Sequence, residues 1–401
     1  MKHTVKLLTL ALGTAGLLTT ALAQAQAQDK VRIGFTTDMS SLYSDIDGKN
    51  GALAIQMAID DFGGKVLGKP IELLSADHQN KPDIAATKAR EWFDTQGMVM
   101  MIGGTNSGTA LATAKVAEEK KRVYIVNGAG SSALTNEACS PYTVHYAYDT
   151  VALAKGTGGA VVKQGGKDWF FLTADYAFGH ALETDTGNVV KAAGGTVKGA
   201  VRAPLNTSDF SSFLLQAQRS GAKILGLANA GGDTIASIKA ASEFGITKTM
   251  KLAGLLMFIT DVHSLGLKDT QGMYLTDSWY WDKDEPSRAF AKKFFGKAKR
   301  MPTSIQAANY SATTTYLKAV AAAKSTDSDA VMAELKKTPI NDFYGKGNIR
   351  ADGRYVHDMY LMEVKKPGDS KTPWDYLKIA ATLPGDSVFT TKADTKCKLW
   401  K

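Results

Sequence analysis

Val99-Met100-Met101-Ile102 runs into Gly103-Gly104-Thr105-Asn106-Ser107-Gly108-Thr109, and this stretch decides the fold. A short apolar run has the length of a buried strand. The glycine pair ends it. Ser107 then opens a helical stretch that runs towards Lys121. A strand that ends in a Gly-rich loop at a helix start is half of a β-α-β unit. In open sheets of that kind, ligands bind beyond the carboxyl ends of the strands. Free N–H groups and the positive end of the helix dipole suit the loop to an anion. Asn106 and Ser107 can add polar contacts. Ser107 as a simple helix cap is the plainer alternative.

The same rhythm extends both ways. Upstream, Val31 to Thr36 reads as a strand, and Gly51 to Phe62 places Ile55, Ile59 and Phe62 on one helical face. Ile71 to Ala76 is a strand, and Pro82 opens a helix in which Ala85, Ala89 and Trp92 align. Val123 to Val126 is the next strand. After Asp149 a second series begins. It has strands at Trp169 to Leu172, Val197 to Arg202 and Ile224 to Leu227. Helices at Phe178 to Ala193, Phe210 to Ser220 and Thr234 to Phe244 alternate with them. Strands that alternate with helices imply a parallel sheet covered on both faces. Two series imply two doubly wound α/β lobes. Arg288 to Lys299 and Ala307 to Lys324 read as long helices that complete the first lobe. Asn341 to Lys365 reads as strands around the turn Asp352-Gly353, and Pro367 to Lys401 as a tail laid on the surface.

The bulk properties exclude several classes. Lys2 and Lys6 precede the uncharged run Leu7 to Ala23, which ends in Ala21-Leu22-Ala23, with Ala25-Gln26-Ala27 following. That is the pattern of a cleaved secretory leader over residues 1–27, and no Cys follows it to carry a lipid. The expected location is the periplasm. About 375 residues then remain, enough for two domains. The formal net charge of +9 is spread over helix faces, as at Lys115, Lys120 and Lys121. Nucleic-acid binding would need it clustered with aromatics. His3, His78, His145, His180, His263 and His357 show no metal-ligand spacing. There is no phosphate-binding P-loop and no G-x-S-x-G elbow. No cofactor, metal or enzyme activity is expected. Cys139 and Cys397 are the two cysteines. In an oxidising compartment they read as one disulfide, with two unpaired thiols as the alternative.

Two more loops follow strands. Asn127-Gly128-Ala129-Gly130-Ser131-Ser132-Ala133 formally matches a dinucleotide fingerprint. Thr135, Asn136, Cys139 and Pro141 break the helix that fingerprint requires. Ala129, Gly130 and Ser131 better suit a close-approach loop that offers N–H groups to a ligand. In the second lobe, Ala174-Asp175-Tyr176-Ala177-Phe178-Gly179 places Tyr176 where it can stack on or bond a ligand. A buried tyrosine with a satisfied hydroxyl is the alternative. Asp60-Asp61 is read as solvent-facing.

Taken in order, these segments resemble the branched-chain amino-acid type of ABC-transporter substrate-binding protein, the type I periplasmic-binding fold. The likeness rests on Val31-Arg32-Ile33-Gly34, Asp38-Met39-Ser40-Ser41-Leu42-Tyr43, the Gly103-Gly104 loop, Ala133-Leu134-Thr135-Asn136 and the Tyr176 loop. Asp209-Phe210-Ser211, Met301-Pro302-Thr303 with Gln306-Ala307, and Asp352-Gly353-Arg354 continue it. The resemblance implies a monomer of two lobes joined by three crossings, near Tyr148, Ser278 and Lys346. Residues 28–148 and 279–346 would form one lobe, residues 149–278 and 347–384 the other. Residues 385–401 would be a tail fastened to the first lobe. It further implies a small ligand enclosed between the lobes and a membrane permease as partner. Its carboxylate would be held by Ser107 and by Ala129 to Ser131, with Tyr43 and Tyr176 against its body.

One departure bears on the ligand. Amino-acid binders of this type place an acidic residue after a second-lobe strand, where this sequence reads Leu255-Leu256-Met257-Phe258-Ile259. A buried ammonium without a partner is costly. The expectation is a carboxylate with an apolar or aromatic body, with Phe258 in the pocket. Asp233 could supply the missing charge, which keeps a branched-chain amino acid open. An amide or urea sensor without transport is a further alternative.

Overall fold

The computed structural model describes residues 30–401; the expected leader lies outside them. The first sheet orders its strands β2-β3-β1-β4-β5-β6. These are β1 (Val31–Thr37), β2 (Lys65–Val66), β3 (Lys69–Asp77), β4 (Met98–Gly103), β5 (Val123–Val126) and β6 (Thr143–His145). All are parallel except the β2–β3 hairpin. Helices Gly48–Asp61, Pro82–Thr95 and Ser107–Glu119 connect them. Pro82 starts its helix where no N–H is missed, and Ala85, Ala89 and Trp92 face inward as their spacing requires.

The second parallel sheet is ordered β10-β9-β7-β8. It comprises β7 (Asp168–Ala174), β8 (Thr196–Ala203), β9 (Ile224–Ala228) and β10 (Lys251–Gly254). Helices Ala177–Ala192, Ser211–Arg219 and Gly232–Glu243 lie between them. Two doubly wound lobes result, as the alternation demands. Helices Glu285–Ala298, Ser304–Ala323 and Ser328–Lys337 return to the first lobe, where the first two pack on Gly48–Asp61.

Two expectations fail in the C-terminal third. β11 (Tyr274–Asp277), β15 (Met359–Val364) and β16 (Leu377–Leu383) form an antiparallel sheet. Residues 377–383 are therefore a paired strand, with Trp374 and Leu377 buried beside it, and not a surface tail. The third crossing also comes later than Lys346. β13 (Lys346–Ile349) pairs with β12 (Ile340–Asn341) and with β14 (Tyr355–Val356). Arg354 then bridges to His145 at the edge of the first sheet. Residues 347–356 thus stay with the first lobe, and the chain crosses at His357 and Asp358.

Cys139 and Cys397 form a disulfide across 258 residues of sequence. Asn136 accepts from the Lys396 N–H, and the Arg350 guanidinium lies over the Trp400 ring at 3.9 Å. The last residues are fastened beside the first lobe.

Candidate functional site

The carboxyl ends of both parallel sheets face one another, and the lobes are closed upon the space between. The Gly232 N–H of the second lobe donates to the Leu42 carbonyl of the first at 3.2 Å. The Tyr43 and Tyr176 hydroxyls meet at 2.7 Å from opposite lobes. Between them lies a cavity lined by Tyr43, Ile46, Thr105, Gly128 and Ile305 from the first lobe, by Tyr176, Phe178, Ala230, Leu256 and Phe258 from the second, and by Tyr148 from the first crossing. As closed here it has room for roughly one water molecule. A ring-sized ligand enters only with Tyr43 and Tyr176 parted.

The walls are held by local chemistry. The Asp38 carboxylate accepts from the N–H groups of Ser40, Ser41 and Tyr43 and from Asn80, which pins the loop that carries Tyr43. Those bonds hold Asp38 below the usual carboxylate range although burial opposes them. Tyr148 donates to the Gly128 carbonyl at 2.6 Å and ties the first crossing to the second glycine loop. Burial raises the phenols of Tyr43, Tyr148 and Tyr176, so all three stay neutral.

The structure brings three expected residues into the cavity: Tyr43, Tyr176 and Phe258. Asn106 is spent as the helix cap, since its Oδ1 accepts from the Thr109 N–H at 3.1 Å. Ser107 Oγ accepts from the Ser131 N–H at 3.1 Å, so the two anion loops bond each other. The Ala129 carbonyl faces His145 Nε2 at 2.7 Å. A Cβ on Gly130 would sit 2.9 Å from Tyr148 and 3.0 Å from Phe178, so that glycine lets both rings approach. Neither Ser107 nor the run Ala129 to Ser131 lines the closed cavity. The members of those loops that do are Thr105 and Gly128, two and one residues upstream. The loops were legible, but the cap position shifts their register.

Asp233 lies at the cleft mouth with Ser41, Leu42, Asn206 and Thr207, not in the enclosed cavity. It accepts from the Asn206 N–H at 3.2 Å, and burial pushes its carboxyl up to about 6. The nearest acid after Leu255–Ile259 is Asp261. Its carboxylate accepts from the Phe258 N–H at 2.9 Å as a helix cap. Tyr148 and Ile305 were missed as lining residues. Tyr148 was read only as a crossing, and Ile305 arrives on a helix far along the chain. Among the described residues, no helix is long and apolar enough to cross a membrane.

A model of the periplasmic binding protein family matches residues 30–371. A periplasmic binding protein from Burkholderia mallei is 70% identical, with a TM-score of 0.93 over 93% of this chain and 100% of its own. A branched chain amino acid ABC transporter periplasmic ligand-binding protein from Burkholderia xenovorans is 40% identical, with a TM-score of 0.82 over 92% of this chain and 100% of its own. A solute binding protein of an ABC transporter from R. palustris, in complex with 4-hydroxybenzoate, shares the fold. It has a TM-score of 0.80 and 24% identity over 89% of this chain and 98% of that one. With two doubly wound lobes closed over a lined cavity and this match across nearly the whole described chain, the protein belongs to the periplasmic binding proteins, of the branched-chain amino-acid ABC-transporter type.

Proposed function

We propose that this protein is exported to the periplasm, encloses a small carboxylate with an aromatic or apolar body, and presents it to the permease of an ABC importer. The carrying observation is the lining. It offers five aromatic side chains and no Asp, Glu, Lys, Arg or His. An enclosed ammonium would find no counter-charge there, which costs several kcal/mol (on the order of the penalty for a buried unpaired ion). A carboxylate can instead be met by neutral donors of the lining, namely Thr105 and the hydroxyls of Tyr43 and Tyr176 once that pair has parted. The R. palustris relative that holds 4-hydroxybenzoate supports the aromatic reading by its fold. Binding leads to lobe closure and release, without turnover.

A branched-chain amino acid is the second reading. The Burkholderia xenovorans relative is a periplasmic ligand-binding protein of a branched chain amino acid ABC transporter. Asp233 at the mouth would be its ammonium partner. Calorimetry separates the two. Benzoate, 4-hydroxybenzoate or coumarate should bind with leucine silent. Micromolar leucine binding with no heat from the aromatic acids would overturn the proposal.

A further inference from the structure

Behind the cavity wall runs a buried file of hydrogen bonds. Thr105, which lines the cavity, places its Oγ1 3.3 Å from Thr37 Oγ1 and accepts from the Asp38 N–H at 3.2 Å. Thr37 Oγ1 lies 2.7 Å from Asp47 Oδ2. Asp47 Oδ1 accepts from Asn309 Nδ2 at 2.7 Å, and Asn309 in turn accepts from Asn127, beside Gly128. Thr37, Asp47, Asn127 and Asn309 are wholly buried.

The groups that hydrogen-bond Asp47 are neutral, while Asp38, whose N–H reaches Thr105 and whose carboxyl is held below the usual range, is the ionised group beside the file. Thr37 comes from β1. Asn309 and Gln306, which donates to the Asp47 carbonyl, come from helix Ser304–Ala323. The phenols of Tyr124 on β5 and Tyr148 at the crossing feel its charge. A buried carboxylate without a cation is the costly form.

The file has a direction, and the proton on Asp47 sets it. With Asp47 ionised, Thr37 donates to it and accepts from Thr105. Thr105 then has only a lone pair left for the cavity. With Asp47 protonated, the acid donates to Thr37, Thr37 donates to Thr105, and the Thr105 hydroxyl hydrogen is free to point at a ligand. A carboxylate ligand is met by an acceptor in the first case and by a donor in the second. Its own charge also opposes a second anion close behind the wall.

We propose that this protein captures its carboxylate ligand together with one proton, carried by Asp47 and relayed through Thr37 to Thr105. The inference rests on the carboxylate reading above. Burial pushes the Asp47 carboxyl up to about 7, which puts both states within reach near neutral pH.

The test is calorimetric titration with benzoate from about pH 6 to 8.5, in two buffers of different ionisation enthalpy. Benzoate stays ionised throughout, so any proton taken up belongs to the protein. The dissociation constant should be level below pH 7 and rise above it, approaching tenfold per pH unit, with proton uptake approaching one. Asp47→Asn holds the file in its protonated direction and should bind with no pH slope and no proton uptake. Thr105→Val cuts the file at the wall and should bind more weakly and with a shallower slope, because only the through-space charge of Asp47 still acts, while Thr105→Ser restores both. Benzoate binding in the wild type with no proton uptake overturns the inference and leaves the carboxylate reading standing. An unchanged slope in Asp47→Asn does the same. No heat from benzoate at any pH, with leucine bound, overturns both.

Discussion

Tyr43 and Tyr176 join the lobes by a hydroxyl pair 2.7 Å apart. Each comes from a loop beyond the carboxyl end of a strand, Tyr43 after β1 and Tyr176 after β7. The bond exists only in the closed molecule. It therefore contributes to closure and not to the stability of either lobe.

Tyr176→Phe should shift the ligand-free protein towards the open form. A neutral hydrogen bond contributes about 0.5–1.5 kcal/mol, so the closed-to-open ratio should fall roughly two- to twelvefold. Inter-lobe distances from paired spin labels would read it. Tyr43→Phe should do the same, and the double variant should add little, since the pair is already broken. Additive effects would show that the hydroxyls act separately.

The two sheets and most helices were legible because their patterns are local. The spacing of Ala85, Ala89 and Trp92, or the apolar run Val99 to Ile102, needs no knowledge of distant residues. The antiparallel strand Leu377–Leu383 was not legible. Its partner is β15, and the Gly and Pro residues around it hid its pattern. The cavity was legible by half. Tyr176 lines the cavity where loop chemistry put it, and Tyr43 and Phe258 line it where the resemblance to the family put them. Ser107 and Ser131 instead satisfy one another across 24 residues of sequence, a pairing that no local rule reveals.

Arg354 and Asp149 are both fully buried beside the first crossing, 3.8 Å apart. Arg354 also donates to the carbonyls of Tyr146 at 2.6 Å and Tyr355 at 3.0 Å, and its guanidinium lies 4.3 Å from the Phe389 ring centre. Arg354→Met removes the cation that faces Asp149 at 3.8 Å and should cost about 3–5 kcal/mol in urea unfolding. Adding Asp149→Asn should recover part of that loss, because the stranded charge is then gone. No recovery would mean that the arginine acts through its carbonyl bonds alone.

His78 should make the protein acid-sensitive. Its Nδ1 accepts from the Asn80 N–H at 3.1 Å, which requires the unprotonated nitrogen. Burial pushes its imidazole down to about 4, against 6.5 when exposed. The unfolded chain thus binds the proton first. The contribution is full above 6.5 and is lost as pH falls from there towards 4. Each pH unit inside that window costs at most about 1.4 kcal/mol. His78→Asn keeps an acceptor without titrating. Unfolding at about pH 7.5, 6 and 5 should show the wild type losing more stability than the variant on acidification. Parallel losses would assign the sensitivity to other groups.

Gly231 should be a position where one methyl group holds the lobes apart. It has φ +58°, a conformation in which side chains are rarely tolerated. A Cβ there would lie 2.7 Å from the Leu42 carbonyl oxygen and 3.0 Å from the Tyr43 ring, both on the opposite lobe. The first contact is backbone and cannot swing aside. Gly231→Ala should add local strain of about 1 kcal/mol within the second lobe. The larger effect falls on closure, because the clash with Leu42 exists only when the lobes meet. Ligand affinity should drop more than tenfold, and small-angle scattering with saturating ligand should show a larger radius than the closed wild type. A variant that unfolds at nearly the wild-type temperature yet closes and binds as tightly would show that the lobes have slack at this contact.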